Sequence, residues 1–346
     1  MSGNVEAQSY PEVIKERLGI EVTTRCNINC SHCFARAGIS EPSSLSLKLA
    51  KEIMTEGYNV GYRHFHITGG EPLLWEGLFD VLDYAFDMGY QTGFLNTNGT
   101  LLTVDISGRL AAYNGLSISV SLEGTERLHD HLSGEGSYRR VVQGIERAMV
   151  AGIDLFIFTI ACKSLLPDLS PFAEDLYKKF PGIKYLTLIQ FIPVRDGTFT
   201  LSEELLDPED FLQLVGKVSL LNLLGLRTYF LNNPLAYVAS KLLEILWIPR
   251  SDPLYSEGSM IVMANRDICL SHSTRATFGK YELGMIEKVL TSGLYRRAIM
   301  ADERTCPFCK YSEFCMENGM VRPSEWYWDI NSDVLYCQKV LDSVRE

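Results

Sequence analysis

The chain has 346 residues, of which 46% are hydrophobic and 22% charged, a composition that excludes disordered and fibrous proteins and allows one large α/β domain with a smaller one beside it. Its net charge of −11 argues against nucleic acid or an anionic membrane surface as the main partner. No apolar run approaches the ~18 residues that span a bilayer, and the N-terminus lacks the basic and apolar segments of a signal peptide, so we expect a cytoplasmic protein.

Short apolar runs alternate with helical patterns through the first half of the chain. Each run is bounded by Gly or polar residues and is followed by apolar residues at helical spacing. The predicted strands are Leu18–Thr23, His64–Thr68, Gln91–Asn96, Leu116–Leu122, Leu155–Thr159 and Tyr185–Phe191. This repeated alternation predicts a parallel sheet wound by helices, either barrel-like or doubly wound, with its chemistry at the carboxyl ends of the strands.

The pattern changes in the second half of the chain. Leucine-rich segments predict two helices in a connecting region, and short strand-like runs follow before a cysteine-rich tail. The helices are predicted over Asp207–Leu224 and Pro234–Leu246, and the strands over Met260–Met263 and Ile268–Leu270. These changes divide the chain into a lead-in, an α/β region, a helical linker and a cysteine-rich C-terminal domain, over residues 1–17, 18–195, 196–258 and 259–346.

Seven of the nine cysteines form two groups, and the other two stand alone. In a reducing compartment such groups are more typical of metal ligands than of disulfides. Cys26, Cys30 and Cys33 follow directly on the first predicted strand. Structural zinc sites need four ligands, whereas three thiolates suit a [4Fe–4S] cluster with one iron left open for a non-protein ligand. A zinc site completed by another ligand such as His32 is the alternative.

A glycine-rich loop, Thr68 to Leu74 with the sequence TGGEPLL, follows the second predicted strand. Glycine lets the backbone approach a ligand closely. The C-x3-C-x2-C motif after the first strand and this loop after the second together resemble the radical S-adenosylmethionine (SAM) superfamily. The resemblance implies a partial (β/α)6 TIM-like barrel over residues 18–195, a [4Fe–4S] cluster on the three cysteines, and SAM held by Gly69, Gly70, Glu71 and Pro72.

Two weaker matches follow the third and fourth predicted strands. The turn around Asn98 and the segment ending in Ser121-Leu-Glu-Gly resemble further SAM-binding segments of the family, which implies that Asn98 and Ser121 contact SAM, Ser121 at the ribose. Ordinary turn chemistry is the alternative for both. Glu123 replaces the usual Asp, and Ser133 stands where many relatives carry an Arg. Arg139 is a neighbouring alternative partner for the SAM carboxylate, although a solvated position on a helix surface is favoured for it.

Four cysteines near the end of the chain supply the thiolates for one complete metal site, either [4Fe–4S] or zinc. They are Cys306, Cys309, Cys315 and Cys337. Their spacing resembles the SPASM extension of radical SAM enzymes, whose seven cysteines hold two auxiliary clusters. Val289 and Gly319 stand at two of those cysteine positions, so we expect one auxiliary [4Fe–4S] cluster ligated wholly by protein. Burial in the core is favoured for the isolated Cys162, with a position facing the active site as the alternative. Cys269 is either a remnant of the SPASM pattern or a small buried hydrophobic residue.

The resemblance implies an oxidoreductase or maturase that cleaves SAM to a 5′-deoxyadenosyl radical, with electrons from a low-potential donor such as flavodoxin or ferredoxin. No catalytic residue is assigned beyond the cluster. Because SPASM relatives most often modify peptides, a ribosomally synthesised peptide is the first substrate hypothesis. The alternatives are a tetrapyrrole or other small metabolite, or a non-catalytic iron–sulfur electron carrier. His64 and His66 share one face of a strand and are expected to pack or face solvent.

Overall fold

The computed structural model describes residues 17–33, 35, 42–191, 201–251, 257–272, 277–299, 309–315 and 334–344. Within these residues the centre of the molecule is one nine-stranded sheet, parallel throughout except for its last strand. The strands are β1 (Arg17–Glu21), β2 (His64–Thr68), β3 (Thr92–Thr97), β4 (Leu116–Ser121), β5 (Asp154–Ala161), β6 (Leu186–Gln190), β7 (Thr228–Phe230), β8 (Met260–Val262) and β9 (Ile268–Cys269).

Helices follow most of the strands and cover the outside of the sheet. They are α1 (Leu47–Asn59), α2 (Leu78–Met88), α3 (Val104–Ala111), α4 (Glu126–Ser133), α5 (Ser137–Val150), α6 (Leu169–Lys179), α7 (Pro208–Leu223), α8 (Pro234–Leu242), α9 (Met285–Leu290), α10 (Gly293–Ile299) and α11 (Val334–Ser343). None of these helices, within the described ranges, combines the length and apolarity needed to cross a bilayer.

Local sequence sets several of the helix ends. At the start of α1, the Ser46 side chain accepts a hydrogen bond from the backbone N–H of Leu49. At the start of α7, Asp207 and Asp210 form a reciprocal capping box, and Pro208 occupies the first helical position. These residues satisfy N–H groups that have no partner inside a helix. The predicted helix starts at 207 and 234 therefore agree closely with the structure.

The strand order β7-β6-β5-β4-β3-β2-β1-β8-β9 describes a sheet that curls without closing by hydrogen bonds in the part of the chain that the structure describes. The expected partial barrel of six parallel strands, β1 to β6, is confirmed. β7 lies in the predicted helical linker and was missed, since three residues are too few to show a period-2 pattern. β8 pairs with β1, Leu18 opposite Met260, so the predicted C-terminal domain begins by extending the barrel sheet.

The two faces of the sheet differ in chemistry. On the outer face, side chains such as Phe65, Ile67 and Ile118 are fully buried against the helices. On the inner face, the alternate positions carry polar groups such as His66 and Ser119, which line a cavity. Because successive side chains of a strand point to opposite faces, the same strands build an apolar core on one side and a cavity wall of mixed polar and aromatic side chains on the other.

A buried carboxylate joins the C-terminal region to α1. Glu56 is only 7% exposed. Its oxygens accept hydrogen bonds from the Tyr281 hydroxyl at 2.8 Å, the Gly284 N–H at 3.0 Å and the Ile286 N–H at 2.7 Å. Gly284 has a left-handed φ of 89°, which favours glycine. One side chain of the barrel thus fixes the first turn of α9.

Candidate functional site

The inner face of the sheet surrounds a cavity of about 410 Å³. The three N-terminal cysteines line it, together with Gly69, Gly70, Asn98 and Ser121. These residues come from the loops or strand ends after β1, β2, β3 and β4. Loops from the carboxyl ends of neighbouring parallel strands meet at one edge of the barrel, so residues far apart in sequence come together there.

Hydrogen bonds hold the cysteine loop in place at two points. At its start, the Thr23 and Ser44 hydroxyls are 2.7 Å apart, and further along the Ser31 N–H donates to the Leu132 carbonyl at the end of α4 at 2.9 Å. Burial raises the pKa of the Cys26 thiol, and it raises the pKa of Cys30 to about 12. Such thiols ionise when a positively charged metal centre lies beside them. The three thiols around one cavity suit an iron–sulfur cluster.

Among the described residues, no three His, Cys, Asp or Glu side chains converge closely enough to hold a single metal ion. His32 instead lies with its Nε2 atom 3.6 Å from Oε1 of Glu123. The thiolates of a [4Fe–4S] cluster bind separate irons, whereas the ligands of zinc surround one ion. The geometry of the described loop therefore gives no support to the zinc alternative with His32.

The glycine loop lies directly against the cysteine loop. The Gly70 N–H donates to the Thr23 carbonyl at 2.7 Å, and the Glu71 N–H donates to the Arg25 carbonyl at 2.8 Å. A Cβ atom on Gly70 would overlap the Arg25 carbonyl oxygen, and one on Gly69 would press on that of Thr23. Glycine is thus required at both positions for this close approach, and the two loops form one cradle.

Glu71 differs from its expected role of facing the ligand. The side chain is fully buried, and neither it nor Pro72 is among the described residues that line the cavity. Its Oε1 accepts from the Thr97 hydroxyl at 2.8 Å and its Oε2 from the Asn98 N–H at 2.7 Å. Burial raises the pKa of Glu71 to about 7, against the effect of these hydrogen bonds. Glu71 therefore positions the turn after β3, because its carboxylate is occupied by that turn.

Asn98 connects this turn to the cysteine loop. Its Nδ2 donates to Oδ1 of Asn27 at 2.9 Å and lies 3.7 Å from the sulfur of Cys26. Its Oδ1 accepts from the Thr100 N–H at 3.0 Å. The amide is therefore held on both sides, and it orients Cys26 as well as the cavity wall. Ser121 lines the same wall at the end of β4.

The sequence shows Glu123 only as a replacement for the usual Asp, but in the structure Glu123 lies at the centre of a cluster of buried polar groups. Its Oε2 accepts from the Ile160 N–H at 2.7 Å, and its own N–H donates to Nδ1 of His129 at 3.0 Å. Burial raises the pKa of Glu123 to about 7 and lowers the pKa of His32 to about 4. The contact of Glu123 with β5 depends on strand register, which no local motif encodes.

Two further expectations concern basic residues. His64 faces Thr92, with Nδ1 and the hydroxyl oxygen 2.8 Å apart, whereas His66 lines the cavity rather than the core or the surface. Arg139 pairs with Glu126 at 2.8 Å and is 79% exposed, so it lies on the helix surface. Ser133 lines the cavity and hydrogen-bonds Cys30. The position that many relatives fill with Arg therefore contacts Cys30 in this chain.

Of the four C-terminal cysteines, Cys306 lies outside the described residues. Cys309 and Cys315 lie in a turn whose Phe314 ring packs edge-on against Tyr237 of α8, with the ring centroids 6.4 Å apart. Cys337 lies on α11, which packs against α7 and α8. Both cysteine-bearing segments therefore contact α8. The isolated Cys162 and Cys269 are both buried.

Comparisons with known proteins agree with this geometry. Residues 20–163 match the family model of the Radical SAM superfamily, which confirms the resemblance found in the sequence. The chain is 32% identical over 133 residues to the mycofactocin maturase MftC of Mycobacterium tuberculosis, covering 38% of this chain and 34% of that protein. It is 33% identical over 168 residues to the AdoMet-dependent heme synthase of Methanosarcina barkeri, covering 48% of each. The matches thus span between about a third and a half of these relatives.

A solved structure has the same fold. SuiB of Streptococcus suis, bound to its precursor peptide SuiA, superposes with a TM-score of 0.68 over 88% of this chain and 71% of that chain. The sequence identity of 16% means that this likeness concerns the fold alone.

Proposed function

We propose that this chain, which carries a radical SAM domain over residues 20–163, is an enzyme that cleaves SAM reductively and abstracts a hydrogen atom from a substrate. The observation that carries the proposal is the single cavity shared by the three cysteines and the glycine loop. A [4Fe–4S] cluster on Cys26, Cys30 and Cys33 would supply the electron that converts SAM to methionine and a 5′-deoxyadenosyl radical.

The protein positions SAM and shields the reaction from water. Glu71 and Asn98 fix the turn after β3 against the cysteine loop, so both sides of the SAM site are rigid before SAM binds. Gly69 and Gly70 let the backbone reach SAM closely, and Ser121 faces the ribose. Phe94 and Phe158 line the cavity from β3 and β5. Such an apolar wall excludes water, which would otherwise compete for a reactive radical.

A second cluster completes the redox path in this proposal. Cys306, Cys309, Cys315 and Cys337 would hold one auxiliary [4Fe–4S] cluster, which would supply an acceptor for the electron left on the substrate. The common contact of the described segments with α8 supports one site rather than two. A flavodoxin or ferredoxin supplies the low-potential electron. Zinc is the alternative metal at this site, and iron and zinc analysis of the purified protein separates the two.

The substrate class proposed first is a ribosomally synthesised peptide. The support is the similarity to a mycofactocin maturase and the fold shared with a structure that contains a precursor peptide. The second candidate is a tetrapyrrole or other small metabolite, because an AdoMet-dependent heme synthase is equally similar in sequence. A non-catalytic electron carrier would not need the glycine cradle that the structure contains.

Anaerobic reconstitution tests the reaction class. The protein is loaded with iron and sulfide, then incubated with SAM and dithionite, and 5′-deoxyadenosine is measured by mass spectrometry. Cys30→Ala should abolish 5′-deoxyadenosine and lower the iron content by about four atoms per chain. Cys162→Ala removes a buried cysteine away from the three ligands and should change neither quantity. Absence of 5′-deoxyadenosine from the reconstituted unmodified protein would refute the proposal.

A further inference from the structure

A second chemically distinct region lies in the same cavity at the amino ends of the strands. Arg17 is the first residue of β1, and it lines the cavity. With a rise of about 3.3 Å per residue, the Arg17 backbone lies about 13 Å from Glu21 at the carboxyl end of that strand. The cysteine loop follows beyond Glu21. Arg17 is therefore separated from the SAM cradle by the depth of the sheet.

Two basic side chains flank one aromatic ring in this region. The Arg17 guanidinium carbon lies 5.1 Å from the centroid of the Phe94 ring. The His66 ring meets the same Phe94 ring edge-on, with centroids 5.9 Å apart at 65°. Both contacts hold planar groups in fixed positions along the cavity wall. Arg17 and His66 thus approach one volume from β1 and β2.

His66 has a polar atom ready for a ligand. Its Nε2 is buried and makes no hydrogen bond within the described part of the chain, although the residue lines the cavity. The Asn96 side chain hydrogen-bonds the ring, and Asn96 itself accepts from the Ser119 hydroxyl at 2.7 Å. The ring is therefore oriented from one side, while Nε2 lies at the wall. Buried polar atoms in proteins normally have a partner, so a ligand at this position would satisfy it.

The electrostatic field in this region favours an anion. Burial, together with the neighbouring His272 and Arg17, lowers the pKa of His66 to about 3, against the effect of the hydrogen bond to Asn96. Glu21 is the nearest carboxylate on β1, and it is engaged by His272 at 3.1 Å, with both side chains buried. Arg17 is thus a charged side chain that acts on His66 from the neighbouring strand β1, while Glu21 lies against His272. A negatively charged ligand would relieve this repulsion.

We propose that Arg17 and His66 form a carboxylate-binding subsite at the amino end of the barrel, which holds an acidic group of the substrate beneath the SAM site. This inference rests on the proposed function, since it concerns the substrate of that site. The guanidinium of arginine pairs with a carboxylate through two parallel N–H donors. His66 takes up a proton at Nε2 when the carboxylate binds, because the negative charge raises the pKa of the ring, and it then donates from Nε2. The carboxylate belongs either to an acidic residue or chain end of a peptide, or to an acid group of a small molecule.

The test compares carboxylates with their neutral counterparts on the reconstituted full-length protein with SAM bound. The peptide-type pair is N-acetylglutamate N-methylamide and N-acetylglutamine N-methylamide, and the small-molecule pair is a propionate-bearing porphyrin and its dimethyl ester. Calorimetry should show about tenfold tighter binding of the acid in at least one pair. The pair with the larger preference identifies the source of the carboxylate.

Variants assign that preference to Arg17. In Arg17→Gln the acid and its neutral counterpart should bind equally. Arg109→Gln is the matched control, because Arg109 also stacks over an aromatic ring, Phe79 at 3.5 Å, but lies on α3 and does not line the cavity. It should keep the full preference. Equal binding of acid and neutral probe to the unmodified protein, or a preference that survives in Arg17→Gln, overturns the proposal.

A measurement on the unmodified protein does not depend on the folding of any variant. In protein labelled with ¹³C and ¹⁵N at histidine, the pKa of His66 should rise when the acid probe binds and stay unchanged with the neutral probe. An unchanged His66 signal, or an acid preference that disappears at saturating SAM, would overturn the inference. In parallel samples without probe, 5′-deoxyadenosine formation tests the proposed reaction separately, so the two failures are distinguishable.

Discussion

Replacing Glu56 should loosen the start of α9 from α1 of the barrel. Each of the three hydrogen bonds to this carboxylate joins it to a donor in the segment Tyr281 to Ile286. Hydrogen bonds to a charged group contribute about 1.5–3 kcal/mol each, and buried donors left unpaired carry a further cost. Because such effects do not add fully, we expect Glu56→Ala to lower the free energy of unfolding by about 3–5 kcal/mol. Glu56→Gln keeps one acceptor oxygen and should lose about half as much.

Urea unfolding followed by circular dichroism measures the loss, and hydrogen exchange locates it. In Glu56→Ala the amides of Gly284 and Ile286 should exchange much faster than in the unmodified protein, while amides of β3 should keep their protection. Glu146→Gln is the control, since Glu146 pairs with Lys179 at 3.0 Å on the surface and such pairs contribute about 0–1 kcal/mol. A Glu56→Ala protein with the stability of the control and protected amides would refute the reasoning.

Three other changes have defined outcomes. Gly70→Ala should weaken SAM binding at least about tenfold in equilibrium dialysis while the protein stays folded, because the new Cβ displaces the cradle from the Arg25 carbonyl. Burial alone would raise the pKa of Asp130, but the Tyr138 and Gly136 N–H groups hold it below its usual range. Asp130→Asn should therefore lose about 1–2 kcal/mol at pH 7, and the difference should shrink in unfolding titrations as the pH falls below the usual pKa of an aspartate. Cys309→Ala should keep 5′-deoxyadenosine formation but lower iron by about four atoms per chain and abolish product.

For each of these three variants, a specific result would contradict the expectation. Unchanged SAM affinity in Gly70→Ala would mean that the cradle is not the SAM site. A stability difference in Asp130→Asn that persists in acid would mean that the carboxylate charge is not its source. A carboxylate whose pKa is lower in the folded protein than in the unfolded chain stabilises the fold at a pH above the unfolded pKa. This stabilisation is lost as the pH falls and the carboxylate takes up a proton. Unchanged iron content in Cys309→Ala, with Cys269→Ala as the control, would remove Cys309 from the ligands.

The sequence predicted the barrel because its signal is local and repeated. The strand His64–Thr68 has the predicted bounds, and the cysteine and glycine motifs lie at strand ends as parallel sheets require. The short β7 was missed because its three residues form a strand only by pairing with β6. Such pairing is a tertiary effect that outweighs local propensity.

The loops of the candidate site could be predicted from the sequence, but the roles of the residues around them, such as those that line the cavity, were harder to predict. His66 was expected to pack or face solvent, since alternation along a strand shows that two faces exist but not which one encloses a cavity. Glu71 was expected at the ligand, and its burial against Thr97 and Asn98 depends on how two loops meet. For the same reason nothing local indicated that Glu123 would reach the backbone of Ile160.

The pairing of β1 with β8 has a consequence for how the chain is made on the ribosome. Leu18, near the start of β1, emerges early, but its partner Met260 follows only after β2 to β7 have been synthesised. Until then β1, which leads into the cysteine loop, is an exposed edge strand, and such edges invite pairing with other chains. A nascent chain stopped at residue 251 should therefore associate with its neighbours, whereas one released after residue 272 should remain dispersed.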